Sequence, residues 1–460
     1  MKIRTVAFAV AGCLALSHAA YAGGKVRPKI VVAEAATRVV ADATAKFACE
    51  LRPFDLADSG GRLHCYGPDA IRAAYGVQPL LNAGFDGAGQ TIVLIEAFGS
   101  PTLETDLKLF DQTFGLPDPP SITQIHMPGS TPFDFNDDNQ LGWAFETSLD
   151  VQWAHAIAPA ARIVVVAAAD NDDLNILAAQ NFAIDRRLGL VISESFGESE
   201  LDVTPATLRQ YEKSYHRAVQ RRMSVLVSAG DDGATNPGQD GNERPFRNVS
   251  YPASSPHVTG VGGTSLFFGT AGHADPNGSY LGENVWNEEA IGGGATGGGV
   301  SALFPEPIYQ RDALRGSINA TLNGFRGVPD VGYNAAVNGG VIVAVGFTGP
   351  TPQFFLVGGT SAGAPQWAGI IAIANQIAGR PLGFLNSSLY FLGKIGALQA
   401  LTHDVTRGDN SFAGVIGFSA GAGYDLTTGW GTPNIGMLSL LLSRADDGGD
   451  DWDIDGQDRR

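Results

Sequence analysis

The chain has 460 residues, room for one large domain or two to three ordinary ones. Hydrophobic residues make up 44% and charged residues only 17%, with 60 glycines, which excludes a wholly disordered chain and a coiled coil in favour of a loop-rich globular protein. With 47 Asp+Glu against 30 Lys+Arg the formal charge is -17. That excludes a general nucleic-acid binder, which needs cations to replace phosphate counterions, and suits solubility at low pH.

Lys2 and Arg4 precede an apolar run to Leu16, and Ala20-Tyr21-Ala22 follows, so residues 1–22 are expected to be a secretory signal peptide cleaved after Ala22. The stretch Val10-Ala11-Gly12-Cys13 offers a lipoprotein cleavage box as the alternative. The expected location is therefore extracellular or periplasmic, and no later apolar run is long enough to span a membrane. Residues 23–65 lack periodicity and read as an arm, with a Cys49–Cys65 disulfide expected in an oxidising compartment. Closing that loop would stabilise by ~3 kcal/mol; two free thiols are the alternative.

From Tyr66 short Val/Ile/Ala-rich runs alternate with amphipathic segments. Strands are expected at 91–95, 162–168, 190–195, 224–228 and 341–345, and helices at 103–114, 142–156, 172–187, 206–221 and 361–377. The alternation implies an α/β fold, a mostly parallel central sheet with helices on both faces and the site at the carboxyl ends of the strands. The run from Gly292 to Gly299 has no strand-turn-helix setting, which makes a phosphate cradle a weak reading. A cleft-lining surface or a flexible loop suits it better. No interior linker forces a boundary, so residues 66–444 are expected to be one domain. Residues 445–460, rich in Asp and Gly, read as a solvated, disordered tail.

Four segments carry candidate chemistry. Ser361, in Gly359-Thr360-Ser361-Ala362-Gly363 ahead of an apolar helix, sits where backbone N–H groups favour developing negative charge, as a nucleophile requires. A helix-capping serine is the plain alternative. The histidines are scattered; His155 has no acidic partner defined by sequence. Glu146 and Asp150 are spaced i,i+4 on one helical face amid Trp143, Phe145, Leu149, Val151 and Trp153, and two carboxyls that close share a proton. Such a pair serves as a general base where imidazole would be protonated; a solvated acidic face is the other reading. Asp231 follows a strand-like Ser224-Val225-Leu226-Val227 and suits either a cleft or a turn. Asp404 and Asp425, with the glycines around Gly421 and Gly423, offer the all-oxygen environment that Ca²⁺ takes; a turn-rich surface loop is the alternative.

Together these segments resemble the sedolisin family of serine-carboxyl peptidases, relatives of subtilisin in which Glu replaces the triad His. The resemblance runs from about Tyr66 to Leu442. It rests on the Glu146/Asp150 helix continuing to Ala158-Pro159-Ala160-Ala161, on Ser228-Ala229-Gly230-Asp231, Tyr251-Pro252-Ala253-Ser254-Ser255-Pro256 and Val261-Gly262-Gly263-Thr264, and on Gly359-Thr360-Ser361 and Gly429-Trp430-Gly431-Thr432-Pro433. It implies a subtilisin-like fold, Ser361 as nucleophile, Glu146 as its base, Asp150 tuning Glu146, and Asp231 as oxyanion stabiliser. It implies one Ca²⁺ held by the carboxylates of Asp404 and Asp425 and the carbonyls of Val405, Gly421 and Gly423. The expected protein is a monomeric secreted peptidase acting on proteins or peptides at acid pH, with no nucleic-acid partner and no membrane insertion. A catalytically silent binding protein and an esterase are the alternatives. Family members usually carry a long N-terminal prodomain, for which residues 23–65 are too few. Either no such helper is needed, or the short arm shields the cleft, or pH alone restrains the enzyme.

Overall fold

The computed structural model describes residues 25–33, 63–268 and 280–444. The expected signal peptide (1–22), Cys49 and with it the pairing to Cys65, and the acidic tail (445–460) lie outside the described residues. The central sheet is built from β1 (Thr91–Ala97), β2 (Ile122–His126), β3 (Arg162–Ala168), β4 (Val191–Glu194), β5 (Ser224–Ser228), β6 (Thr259–Phe268), β7 (Tyr280–Val285) and β8 (Val331–Asn334). Their order is β7-β6-β5-β4-β1-β3-β2, with β8 also paired to β6. Every pairing is parallel except β6 with β7.

A parallel sheet covered on both sides needs strands that are apolar on both faces, and β1 shows how the sequence supplies them. Ile92 and Leu94 join one core cluster, while Val93, Ile95 and Ala97 join the other. The first cluster lies beneath α1 (Leu103–Phe114), α2 (Asp138–Ile157) and α5 (Gly363–Ala378), the second beneath α3 (Asp173–Arg186) and α4 (Pro205–Gln220). The expected fold class and all five expected helices are therefore present, with ends displaced by a few residues.

Local chemistry fixes those ends. The Asp137 carboxylate accepts from the Asn139 N–H at 2.9 Å to start α2. Thr204 caps α4, with Pro205 in its first turn. Between α2 and α5 the backbones approach so closely that a Cβ at Gly369 would stand 2.7 Å from the Ile157 Cβ. The contact is apolar, and burying Ile370, Ile371 and Ile373 of α5 stabilises by roughly 1.5–3 kcal/mol per side chain.

One expected strand lies elsewhere. Gly340–Val345 pairs with Gln353–Gly358 in a separate four-stranded sheet that also takes in Val31–Ala33 and Cys65–Tyr66. A fully buried apolar run has the same appearance in either sheet, and pairing alone distinguishes them. Strand β2 escaped notice because it is a half-exposed edge, and β6 because glycines interrupt its apolar pattern. The run from Gly292 to Gly299 is not a flexible loop: residues 294–299 are buried, and the Ala295 and Gly297 N–H groups donate to the carbonyls of Asp231 and Gly230 at 2.9 and 2.7 Å.

Candidate active site

Ser361 stands on a single 3₁₀ turn, Thr360–Ala362, between the strand Gln353–Gly358 and α5. The chain reaches that turn through Gly359 at φ +104°, where a Cβ would lie 2.5 Å from the Lys29 carbonyl oxygen and 2.7 Å from Asp231 Oδ2. Only glycine tolerates both that backbone angle and that crowding. The Ser361 hydroxyl is buried and donates to the Ser195 carbonyl at 3.3 Å.

Three carboxyl groups, Glu146, Asp150 and Glu96, form one buried cluster, of which Glu146 lies against the serine hydroxyl. Every residue of α2 from Gly142 to Ile157 is buried, so Glu146 and Asp150 have no solvated face to occupy. The strand alternation that sends Ile92 and Leu94 under α2 also sends Glu96, two residues on, to the same side. Asp150 Oδ2 accepts from the Ser195 hydroxyl at 2.8 Å. Neither oxygen of Glu96 or of Glu146 closes a hydrogen bond of ordinary geometry. Burial drives Glu146 well above the usual carboxyl range. The charges of Asp150, Glu96 and Asp231 push it further, and the Ser361 hydroxyl pulls the other way. Burial and then Asp150 raise Glu96 in the same manner. Burial lifts Asp150 to about 7, opposed by hydrogen bonding to Ser195, Glu96 and Glu146. Like charges at this range cannot all ionise, so the cluster holds shared protons.

Asp231 approaches from the carboxyl end of β5. Its Oδ1 accepts from both the N–H and the hydroxyl of Thr360, at 2.8 Å each, and its buried Oδ2 is unpaired. Burial raises it to about 7, against the pull of the Thr360 N–H and of Lys29. Glu96, Ser195 and Asp231 thus all sit at carboxyl ends of parallel strands, the expected location of a site in such a sheet. The structure brings together Ser361, Glu146, Asp150 and Asp231. His155 faces away, with Nε2 2.8 Å from the Pro117 carbonyl and 3.3 Å from Asp111.

The N-terminal segment crosses the same place. Arg27–Pro28 pairs antiparallel with Phe196–Ser199, and Val31–Ala33 pairs antiparallel with Gln353–Gly358. Between them the Lys29 N–H donates to the Ser195 carbonyl at 3.0 Å, and the Lys29 carbonyl accepts from the Ser361 N–H at 3.1 Å.

Sequence reasoning passed over Glu96, Ser195 and Lys29. A carboxylate ending the buried run Thr91-Ile92-Val93-Leu94-Ile95 was the available signal for Glu96. No local pattern marks Ser195 or Lys29.

Asp404 and Asp425 both reach the stretch from Gly421 to Gly423. Asp404 Oδ2 accepts from the Gly423 N–H at 2.9 Å and Asp425 Oδ2 from the Gly421 N–H at 3.1 Å. Burial raises Asp425, opposed chiefly by the Thr427 hydroxyl. Among the described residues the carbonyls of Val405, Gly421 and Gly423 accept no backbone hydrogen bond in this loop region. The donors these residues offer, two carboxylates and carbonyls without a backbone partner, are oxygen only, which fits a calcium ion and not a thiophilic metal.

A buried serine served by carboxyls, on a parallel sheet wrapped by helices, defines a class. The profile of the subtilase family matches residues 135–381, which contain Glu146, Asp150, Asp231 and Ser361. The chain belongs to that family, and within it to the sedolisins. It is 36% identical over 367 residues to kumamolisin from Bacillus sp. (strain MN-32), a match covering 79% of this chain and 62% of that protein. It is 30% identical over 363 residues to sedolisin from Pseudomonas sp. (strain 101), covering 77% and 58%. The chain therefore spans about three fifths of the length of these two relatives. Among solved structures, Pseudomonas sedolisin, a serine-carboxyl proteinase complexed with two molecules of pseudo-iodotyrostatin, superposes with a TM-score of 0.69 at 27% identity. That match covers 83% of this chain and 99% of that one.

Proposed function

We propose that this chain is a secreted serine-carboxyl peptidase that hydrolyses peptide bonds at acid pH. The observation that carries the reading is the convergence of Ser361, Glu146, Asp150 and Asp231 on one buried point, with His155 turned away. Ser361 Oγ attacks the scissile carbonyl carbon while Glu146 takes its proton. Asp231, protonated, donates from Oδ2 to the oxyanion beside the Ser361 N–H, and an ionised carboxylate there would repel that charge. Glu146 then passes the proton to the departing amine, and water releases the acyl group by the reverse path. Asp150, held by Ser195, keeps Glu146 oriented and shares the cluster's protons with it and Glu96.

The donor set at Asp404, Val405, Gly421, Gly423 and Asp425 supports one structural Ca²⁺, whose role is to tie the segment at Asp404 to the loop from Gly421 to Asp425. The basic, apolar and small-residue pattern of residues 1–22 supports secretion. Among the described residues no helix is long and apolar enough to cross a membrane. The test is digestion of casein or a peptide library at about pH 4, where a carboxyl-based site holds its protons, by the wild type beside Ser361→Ala. Turnover by the wild type alone supports the reading; equal turnover by both removes Ser361 from its role.

A further inference from the structure

The segment 25–33 lies in the cleft as a substrate would lie. Its two halves add as antiparallel strands on either side of Ser361, with Arg27 opposite Gly197 and Val31 opposite Gly358. Main-chain pairing of this kind is how an extended peptide is gripped whatever its side chains. Lys29 falls at the centre. Its carbonyl takes the Ser361 N–H, and the Gly359 contacts show that same oxygen bordering Asp231 Oδ2. The peptide bond set against the serine is Lys29–Ile30.

The Lys29 side chain is 5% exposed, and its ammonium stands 3.1 Å from Asp232 Oδ2. A buried ammonium is tolerated only when paired. A second carboxyl, Glu243, is raised by burial and by the charge of Asp232 and lowered by Lys29 and Arg27. Two residues back on the same side of the strand, the Arg27 guanidinium donates to the Gly238 carbonyl at 3.1 Å, and its charge acts on Glu198 and Asp202. The floor of the groove on the acyl side of Ser361 is therefore acidic along its length. An apolar side chain there would bury Asp232 against Glu243 without a counter-charge.

We infer that Asp232 makes this a lysine- and arginine-accepting subsite for the residue on the acyl side of the scissile bond, and that Lys29–Ile30 is the chain's own bond presented to it. This rests on Ser361 being the nucleophile. Cleavage breaks the Lys29 C–Ile30 N bond and joins the Lys29 carbonyl carbon to Ser361 Oγ. The serine proton goes through Glu146 to the Ile30 nitrogen, and water then hydrolyses the ester, freeing the Lys29 carboxyl and restoring the serine proton.

Two measurements on the full chain test it at about pH 5, where the proposed carboxyl machinery operates. Mass spectrometry of incubated wild type is expected to show a new N-terminus at Ile30 that Ser361→Ala lacks and that Lys29→Leu forms at least about tenfold more slowly, the loss of one charge pair. A peptide library is expected to give wild-type kcat/KM at least about tenfold higher for Lys or Arg than for Leu before the cleaved bond. Asp232→Asn and Asp232→Ser should erase that ratio while Leu peptides are still cut, which also shows that both variants fold. An unchanged ratio in both variants, or a parallel fall for Lys and Leu, overturns the assignment of Asp232. A wild type that turns over library peptides but is never cut at Ile30 overturns the presented bond. A wild type that cleaves nothing overturns the proposed function instead.

Discussion

Thr360 gives both its N–H and its hydroxyl to one oxygen of Asp231, at 2.8 Å each. The other oxygen is buried and unpaired, next to the carbonyl that Ser361 holds. The carboxyl is thereby fixed with its acceptor end satisfied and its remaining oxygen facing where an oxyanion would form. An amide can occupy the same frame, with its oxygen towards Thr360 and its NH₂ towards the substrate.

Asp231→Asn should therefore retain measurable turnover and lose the fall in activity near pH 7 that deprotonation of Asp231 causes, since an amide has no proton to give up. Asp231→Ala should lower kcat by roughly 10²–10³, the usual effect of deleting an oxyanion donor. The pH profile of kcat for the two variants checks this. An alkaline limb unchanged in Asp231→Asn would assign that limb to another group.

Ser361→Ala should lower kcat by on the order of 10⁴ or more, with its melting temperature within a degree or two of the wild type. Oγ makes one long hydrogen bond, to the Ser195 carbonyl, so little packing is lost. Activity assays paired with thermal melts check it.

Glu96 acts on Asp150 and Glu146 and not on the Ser361 hydroxyl, which makes it a positioning and tuning residue. Glu96→Gln removes one ionisable group from the shared-proton cluster and should shift the acid limb of kcat/KM while leaving KM nearly unchanged. A uniform fall in activity with no shift in the profile would reduce Glu96 to a packing role.

Stability should depend on pH with a definite sign. Asp150 and Asp231 are raised to about 7 in the folded chain, above the unfolded value of about 3.9. The folded state therefore binds more protons than the unfolded state between those values, and stability falls as pH rises through that window. Each unit of difference corresponds to ~1.4 kcal/mol, so the loss from about pH 4 to about pH 7 is several kcal/mol. Urea unfolding of Ser361→Ala at both pH values in excess calcium measures it. A higher midpoint at the upper pH would reverse the sign and reject the argument.

Calcium removal should lower the melting temperature by several degrees, because an ion bound only to the native state adds its binding free energy to folding. Asp404→Ala should lower it comparably and abolish the response to chelator. A wild-type melting temperature insensitive to verified metal removal would dismiss the ion.

Much of the fold was legible in the chain. Apolar runs of the right length flanked by turn residues located β1, β3, β4 and β5, and helical spacing located α1 to α5, because burial on both faces and 3.6-residue periodicity are written locally. The pair Glu146/Asp150 was legible for the same reason, as a spacing on one helix. Glu96 was not, since its approach to Asp150 depends on which strand lies beneath α2.

The sequence by itself determined the α/β class, the acidity, the helix that carries two carboxyls and the glycine-flanked serine. Only the tertiary structure decided that Glu96 completes the carboxyl cluster and that Gly340–Val345 belongs to a second sheet. It also decided that residues 25–33 run through the cleft with Lys29 against Ser361 and Asp232. Each of those is a contact between segments tens to hundreds of residues apart. Pairing and burial select such contacts from many locally equivalent partners, and no short window of residues encodes that selection.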